Sequence, residues 1–234
     1  MDISEVNSAK HFHAELNDWW ANARYRELTK AISFKEKTSL VDIGCGSGQN
    51  LFFIQRDYPH VRLMGFDNKS DQVSYDWLPD EIAIFSRIQP EMFDADVYLL
   101  MDVLEHIDEP GNFLSEIVKK ARRGSTFFIS VPAFPLLWSQ RDTLLGHYRR
   151  YTKHSTLNLC IKAGLTVEKC RFKFSFLFFP LLLLRKTTRS IGLKRQTGSL
   201  ATMTNILLDL LSRIEEKLPR LPFGTSIILV GRKN

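Results

Sequence analysis

Apolar residues fall in short runs of four to six, most of them closed by an acidic residue, a glycine or a proline. Leu40–Ile43 runs straight into glycines. Val61–Phe66 ends at Asp67, Ile82–Phe85 is a weaker run, Asp96–Met101 ends at Asp102, and Thr126–Val131 is closed by Pro132. Runs of this length without polar alternation suit strands covered on both faces. Helical stretches separate them: one begins at Asn50–Gln55, another spans Asn112–Ala121, and Ser155–Ala163 is stopped by Gly164. Residues 8–32 form a further helix, with Phe12, Leu16, Trp19, Trp20, Leu28 and Ile32 as its apolar positions. Leu165–Phe174 and Thr225–Val230 are the last strands. This alternation predicts an α/β fold, a doubly wound parallel sheet with helices on both faces.

The last two strands are about fifty residues apart. The sequence FSFLFFPLLLLRKTTRS opens that interval and reads as a loop, because Pro180 interrupts the apolar run. The run is shorter than the ~20 residues a spanning helix needs, so no transmembrane segment is expected. Met203, Ile206, Leu207, Leu210, Leu211, Ile214 and Leu218 then recur at spacings of three and four, one apolar face of a helix. Arg185, Lys186, Arg189, Lys194 and Arg195 lie between the two pieces. Greasy and basic segments side by side suit an interfacial membrane contact. A packed lid with a solvated basic loop is the alternative.

Composition narrows the class. The chain has 234 residues, 44% apolar and 25% charged, which is ordinary for a globular protein. One domain is expected over 1–234, with 8–32 as a helical cap, 39–174 and 223–233 as the core and 175–222 as an insertion. Charge is divided unevenly. Residues 1–117 hold 10 Lys and Arg against 21 Asp and Glu, a net −11, while residues 118–234 hold 22 against 5, a net +17. The basic half is expected to face something anionic. Cys45, Cys160 and Cys170 have neither disulfide-framework nor metal-ligand spacing, so they read as reduced thiols, and no zinc or other metal site is expected. The N-terminus is acidic and polar rather than basic then apolar, so it is not read as a signal peptide, and a cytoplasmic protein is expected.

The stretch SLVDIGCGSGQN, residues 39–50, carries candidate chemistry. Gly44, Gly46 and Gly48 let the backbone turn sharply and approach a ligand at the carboxyl edge of the sheet. The dinucleotide pattern G-x-G-x-x-G fails, because its third glycine position is Gln49. Asp42 precedes the glycines, and Asp67 ends the next strand about twenty residues on, where a carboxylate can accept ribose hydroxyls.

G-x-G-x-G with its preceding acid resembles motif I of the class I S-adenosylmethionine-dependent methyltransferases. DVYLLMDVLEHIDEP, residues 96–110, is similar to that family's fourth strand and following turn. The resemblance spans roughly residues 10–174 and resumes at the last strand. It implies a Rossmann-like sheet of seven strands with a terminal antiparallel hairpin, and S-adenosyl-L-methionine as cofactor. It places the cofactor at Arg24, Asp42, Gly44, Cys45, Gly46, Gly48, Asp67, Asn68, Met101, Asp102 and Leu104. Ser86 stands where the family often has an acid past the third strand, which leaves adenine recognition to Ser86 or to backbone. VPAFPLLWSQRDTLLGHYRRYTK, residues 131–153, and NDWWANAR, residues 17–24, resemble a bacterial subgroup linked to surface glycan and lipid-linked saccharide pathways.

A hydroxyl acceptor has to lose a proton, which His or a carboxylate can take. His106 and His147 are the candidate catalytic residues. Trp138, His147, Arg149 and Tyr151 are candidates for holding the acceptor, with Arg149 sharing a face with His147 and Arg150 fixing the loop through acidic partners. Glu105 is expected to be structural, and Asp102 to shape the methionine end of the cofactor site. The expected activity is O-methylation of a saccharide or lipid-linked, isoprenoid-type acceptor beside an anionic membrane. A small soluble metabolite, or a non-catalytic assembly role, are the rivals. Nucleic acid is disfavoured, since no (N/D)PP(Y/W) motif follows the fourth strand.

Overall fold

The computed structural model describes residues 18–73, 75–187 and 199–234, with side chains omitted at 185–187 and 199–200. Seven strands form one sheet: β1 (Ser39–Ile43), β2 (Arg62–Phe66), β3 (Ala83–Phe85), β4 (Val97–Met101), β5 (Thr126–Pro132), β6 (Leu165–Lys173) and β7 (Ser226–Lys233). Their spatial order is β3-β2-β1-β4-β5-β7-β6, and only β7 runs antiparallel to its neighbours. The expected architecture is therefore observed, terminal hairpin included.

The apolar runs are explained by what covers them. In β4, Tyr98 and Leu100 join one apolar cluster while Val97, Leu99 and Met101 join the other. Both clusters are sealed, so the strand reads as apolar throughout, and its one polar side-chain group, the Tyr98 hydroxyl, is paired with the Met92 carbonyl at 2.8 Å. Helices α3 (Pro110–Lys120) and α5 (Lys153–Lys162) cover the first face through Leu114, Ile117, Val118 and Cys160. Helices α1 (Trp19–Ala31) and α2 (Gln49–Asp57) cover the second through Tyr25, Leu28, Leu51, Phe53 and Ile54. Asp18 caps α1, accepting from the Trp20 N–H at 2.8 Å and the Ala21 N–H at 3.2 Å. The order of strands reverses between β1 and β4. The crevice past their carboxyl ends is where such sheets hold ligands.

The insertion departs from expectation in two ways. Phe178–Thr187 is a helix, α6, rather than a loop. Pro180 lies in its first turn, where a missing N–H breaks no intrahelical bond. The second helix, α7 (Ser199–Glu215), turns its polar side to the protein. Asn205 accepts the Trp19 N–H at 2.9 Å, and Arg26 of α1 donates to Asp209, Ser212 and Glu216 at 2.8, 2.6 and 2.9 Å. Met203, Ile206, Leu207, Leu210 and Ile214 are left exposed, as are Phe179, Leu181, Leu183 and Leu184 on α6. No described helix is long and apolar enough to cross a membrane. Arg189, Lys194 and Arg195 lie outside the described residues, as do Phe12 and Leu16.

Candidate functional site

The loop after β1 is built by its glycines. Gly44, Gly46 and Gly48 all take left-handed φ, +75°, +55° and +77°. A Cβ at Gly44 would lie 2.7 Å from Val103, and one at Gly48 would lie 2.6 Å from Leu78. Those two are glycine because the protein is in the way. At Gly46 a Cβ would meet nothing within 4 Å, so its open side is left for something else. The Gly46 N–H donates to Asp67 at 3.0 Å, and the Lys69 N–H donates to the other Asp67 oxygen at 2.9 Å. Asp67 is thus fixed against the loop. Exposed Asn68 follows it in the same turn. The Cys45 side chain is buried and packs over Gly65, so its backbone rather than its thiol belongs to the loop. Ser86 follows the end of β3, half-buried.

Two residues missed in the sequence brace this loop from outside. Tyr75 Oη donates to the Gly46 carbonyl at 3.0 Å, and Trp77 Nε1 donates to that of Ser47 at 3.0 Å. Nothing in their spacing marks them, because they reach the loop from an irregular segment.

Asp42 is buried at the end of β1, with one oxygen bonded to Asn50 Nδ2 at 3.2 Å and Oδ1 without a partner among the described residues. Burial pushes its carboxyl up to about 7, against the pull of Asn50 and Arg24. Arg24 reaches from α1 to pair with Asp102, and its Nε is likewise buried and unpartnered among the described residues. Asp102 follows β4 with a left-handed φ of +58°, an uncommon backbone state for this residue type. Ser130 holds it there, donating to Oδ1 at 2.9 Å. Met101 and Leu104, on either side, are buried.

The turn Leu104–His106 brings Glu105 and His106 against the loop after β5. Glu105 is 1% exposed, and its Oε2 has no partner among the described residues. Burial, and then the charge of Asp102, raise its carboxyl well above the usual carboxylate range. His106 and His147 meet edge to face with ring centres 4.7 Å apart. Partial desolvation, and then the neighbouring His147, lower the imidazole of His106, whose outer side stays exposed. His147 Nδ1 lies 3.0 Å from Asp142. Burial opposes the Asp142 charge, but hydrogen bonds from His147 and Arg150 outweigh it and hold the carboxyl below its usual range. Asp142, part of the segment that resembles the bacterial subgroup but not singled out there as a site residue, is the buried acid that orients the loop.

Two placements differ from expectation. Arg150 does fix the loop, donating to Asp142 at 2.7 Å and to the Ala133 carbonyl at 3.2 Å. Arg149, however, does not share a role with His147. It donates to the Asp108 carbonyl at 2.6 Å, while His147 and Arg150 converge on Asp142. Tyr151 is 4% exposed, and its hydroxyl donates to the Leu104 carbonyl at 3.0 Å, so it packs the loop onto the turn and presents nothing to an acceptor. Trp138 is 37% exposed at the rim. Trp20 stacks on Phe174 with ring centres 4.2 Å apart, a packing role.

Residues 17–169 match the model of the methyltransferase domain. The chain belongs to that family. Its relative trans-aconitate 2-methyltransferase of Azoarcus sp. (strain BH72) is 19% identical over 115 residues, 46% of this chain and 44% of that one. The chain thus spans less than half the length of the curated relative it matches. Among solved structures, a geranyl diphosphate C-methyltransferase from Streptomyces coelicolor A3(2), in complex with Mg2+, geranyl diphosphate and S-adenosyl-L-homocysteine, superposes with a TM-score of 0.62. That match has 14% identity and covers 91% of this chain and 79% of that one. A SAM-dependent methyltransferase from Archaeoglobus fulgidus gives a TM-score of 0.56 at 18% identity, over 91% and 94% of the two chains. At these identities the likeness is one of fold. The family's cofactor, S-adenosylmethionine, fits the residues present: open space over Gly46, a fixed carboxylate at Asp67, and orphaned polar atoms on Asp42 and Arg24.

Proposed function

We propose that this methyltransferase-family chain O-methylates a saccharide or lipid-linked, isoprenoid-type acceptor at a membrane surface. The observation that carries the reading is the His106–His147 pair, on the turn after β4 and the loop after β5, beside the glycine loop after β1. On this reading Asp67 and the Gly46 backbone would hold the cofactor's ribose, and Arg24 and Asp42 its amino-acid end, which the open side of Gly46 and the orphaned atoms of Asp42 and Arg24 support. The cofactor supplies an electrophilic methyl group, so the chain's task is to orient two reactants and exclude water. An acceptor hydroxyl approaching from the rim at Trp138 meets the nitrogen lone pairs of the imidazoles. Asp142 holds one imidazole in place, and partial desolvation together with the neighbouring ring disfavours protonation of the other. The outward apolar face of α7 supports an acceptor carried in or on a lipid surface.

Calorimetry with S-adenosylhomocysteine tests the cofactor half. Saturable binding is expected, and Gly46→Val, which projects into space that no protein atom occupies, abolishes it while the variant still unfolds cooperatively. Equal binding by the variant, or tighter binding of NAD, overturns it. For the acceptor half, a turnover screen of lipid-linked saccharides should show His147→Ala slowed by ~100-fold or more with cofactor binding intact. Full turnover of that variant removes the imidazole pair from the acceptor step.

A further inference from the structure

The side chains of Glu105, His106 and His147 each offer one donor atom, and the three atoms lie within 4.8 Å of one another. Glu105 is buried, and its Oε2 has no hydrogen-bond partner among the described residues. His106 packs edge to face on His147, with ring centres 4.7 Å apart. His147 Nδ1 is on Asp142 at 3.0 Å, and Asp142 is in turn held by Arg150 at 2.7 Å and the Ser139 N–H at 2.9 Å. A carboxylate behind an imidazole, fixing which nitrogen keeps its lone pair, is the arrangement that orients histidines toward a metal. Three donors thus converge, one of them oriented from behind by a carboxylate, and Glu105 carries a buried oxygen that lacks a counterpart.

We propose that Glu105, His106 and His147 bind one divalent transition-metal ion of the zinc class. Two imidazoles and one carboxylate are the donor set such ions take, at about 2.0–2.2 Å each. That geometry puts the donors roughly 3.4 Å apart in a tetrahedral shell, so the cluster has to close on the ion by a modest turn of the two rings. His106 is exposed, which gives the ion a way in and leaves a fourth position open toward solvent. This deepens the acceptor reading, on which it rests for its role: with the imidazole lone pairs on the ion, the ion would replace the rings as the activating group, lowering the pKa of an acceptor hydroxyl in the open position so that its proton leaves to solvent. The binding itself does not depend on that reading. Cysteine spacing gave no sign of the site because its ligands come from two loops about forty residues apart, joined only by the fold.

The test is a titration of the chelator-treated full chain with Zn2+ against a competing indicator, in the absence of acceptor. Co2+ serves as a second probe through its visible absorption. One equivalent of Zn2+ is expected, lost in Glu105→Gln and His147→Ala. It should be weakened by 10- to 100-fold in Asp142→Asn and retained in His154→Ala, a histidine on α5 away from the cluster. Binding of S-adenosylhomocysteine shows that each variant is folded. If the native chain takes up no equivalent of Zn2+ or Co2+, or if the doubly substituted Glu105→Gln, His147→Ala chain keeps the same equivalent, the site does not exist. Turnover of the histidine variants, measured separately, decides the acceptor reading, so the two can fail independently.

Discussion

Asp42 is a carboxylate without a full set of partners, held where water does not reach it. Among the described residues only Asn50 donates to it, and Arg24, whose charge it feels, is committed to Asp102. Its carboxyl is raised to about 7 from a usual value near 3.8. The sign follows from linkage. The native state holds this proton more tightly than the unfolded chain, so this group's contribution to stability falls as pH rises through about 4 to 7 and is level above. At one pKa unit per ~1.4 kcal/mol, the loss is on the order of 4 kcal/mol. Asp42→Asn removes the charge and keeps the shape. Its melting temperature relative to the native chain should climb between pH 5 and pH 8 in scans without cofactor, and parallel curves would refute the assignment. Some single residues were legible in the sequence. The three glycines and Asp67 are one local pattern, and the structure shows why two of those glycines tolerate no side chain. Asp142 was not legible, because an acid that organises a loop looks like any other acid until the chain folds around it.

At the scale of elements, α1 joins the site to the surface. Arg24 on one side of it holds Asp102 past β4, while Arg26 on the other holds α7 through Asp209, Ser212 and Glu216. Glu215, also on α7, accepts from the Phe174 and Ser175 N–H groups at 3.0 and 2.6 Å, where Phe174 takes a left-handed φ of +60°. Hydrogen bonds to charged groups are worth about 1.5–3 kcal/mol each, so the clasp is a substantial part of what holds α7 down. Arg26→Ala should speed amide exchange along α7 by at least tenfold and leave β4 protected. Arg26→Lys, lacking the planar fork, should restore only part of that protection. Uniform loss across both elements would mean that the clasp supports the whole fold instead. The strands were readable in advance because both faces of the sheet are covered, so burial writes a continuous apolar run. The orientation of α7 was not. Periodicity says that a helix has an apolar side, and the polar partners that decide which way that side turns lie on α1, almost two hundred residues earlier.

For the whole molecule, the question is what meets the outward faces of α6 and α7. Met203, Ile206, Leu207, Leu210 and Ile214 are each 46–67% exposed, and Phe179, Leu183 and Leu184 are 49–72% exposed. Exposed apolar faces on two helices mark an interaction site. The half of the chain that carries it has a net charge of +17, with exposed Arg213, Lys217 and Arg220 beside α7 and further arginines and lysines in the sequence between the two helices. That combination favours an anionic bilayer. Apolar area entering the lipid contributes about 25 cal/mol per Å², and each basic side chain near the charged surface adds about 1 kcal/mol. The protein should therefore sediment with vesicles containing anionic lipid, less so with neutral ones, and less again as salt is raised past the ~10 Å screening length of 0.1 M. Ile206→Glu with Leu210→Glu should abolish sedimentation and leave S-adenosylhomocysteine binding unchanged, since both residues lie on the face of α7 away from α1. If the native chain instead has twice its monomer mass by light scattering and ignores vesicles, while the doubly substituted chain is monomeric, then the face pairs with a second copy of itself and the acceptor is reached in solution.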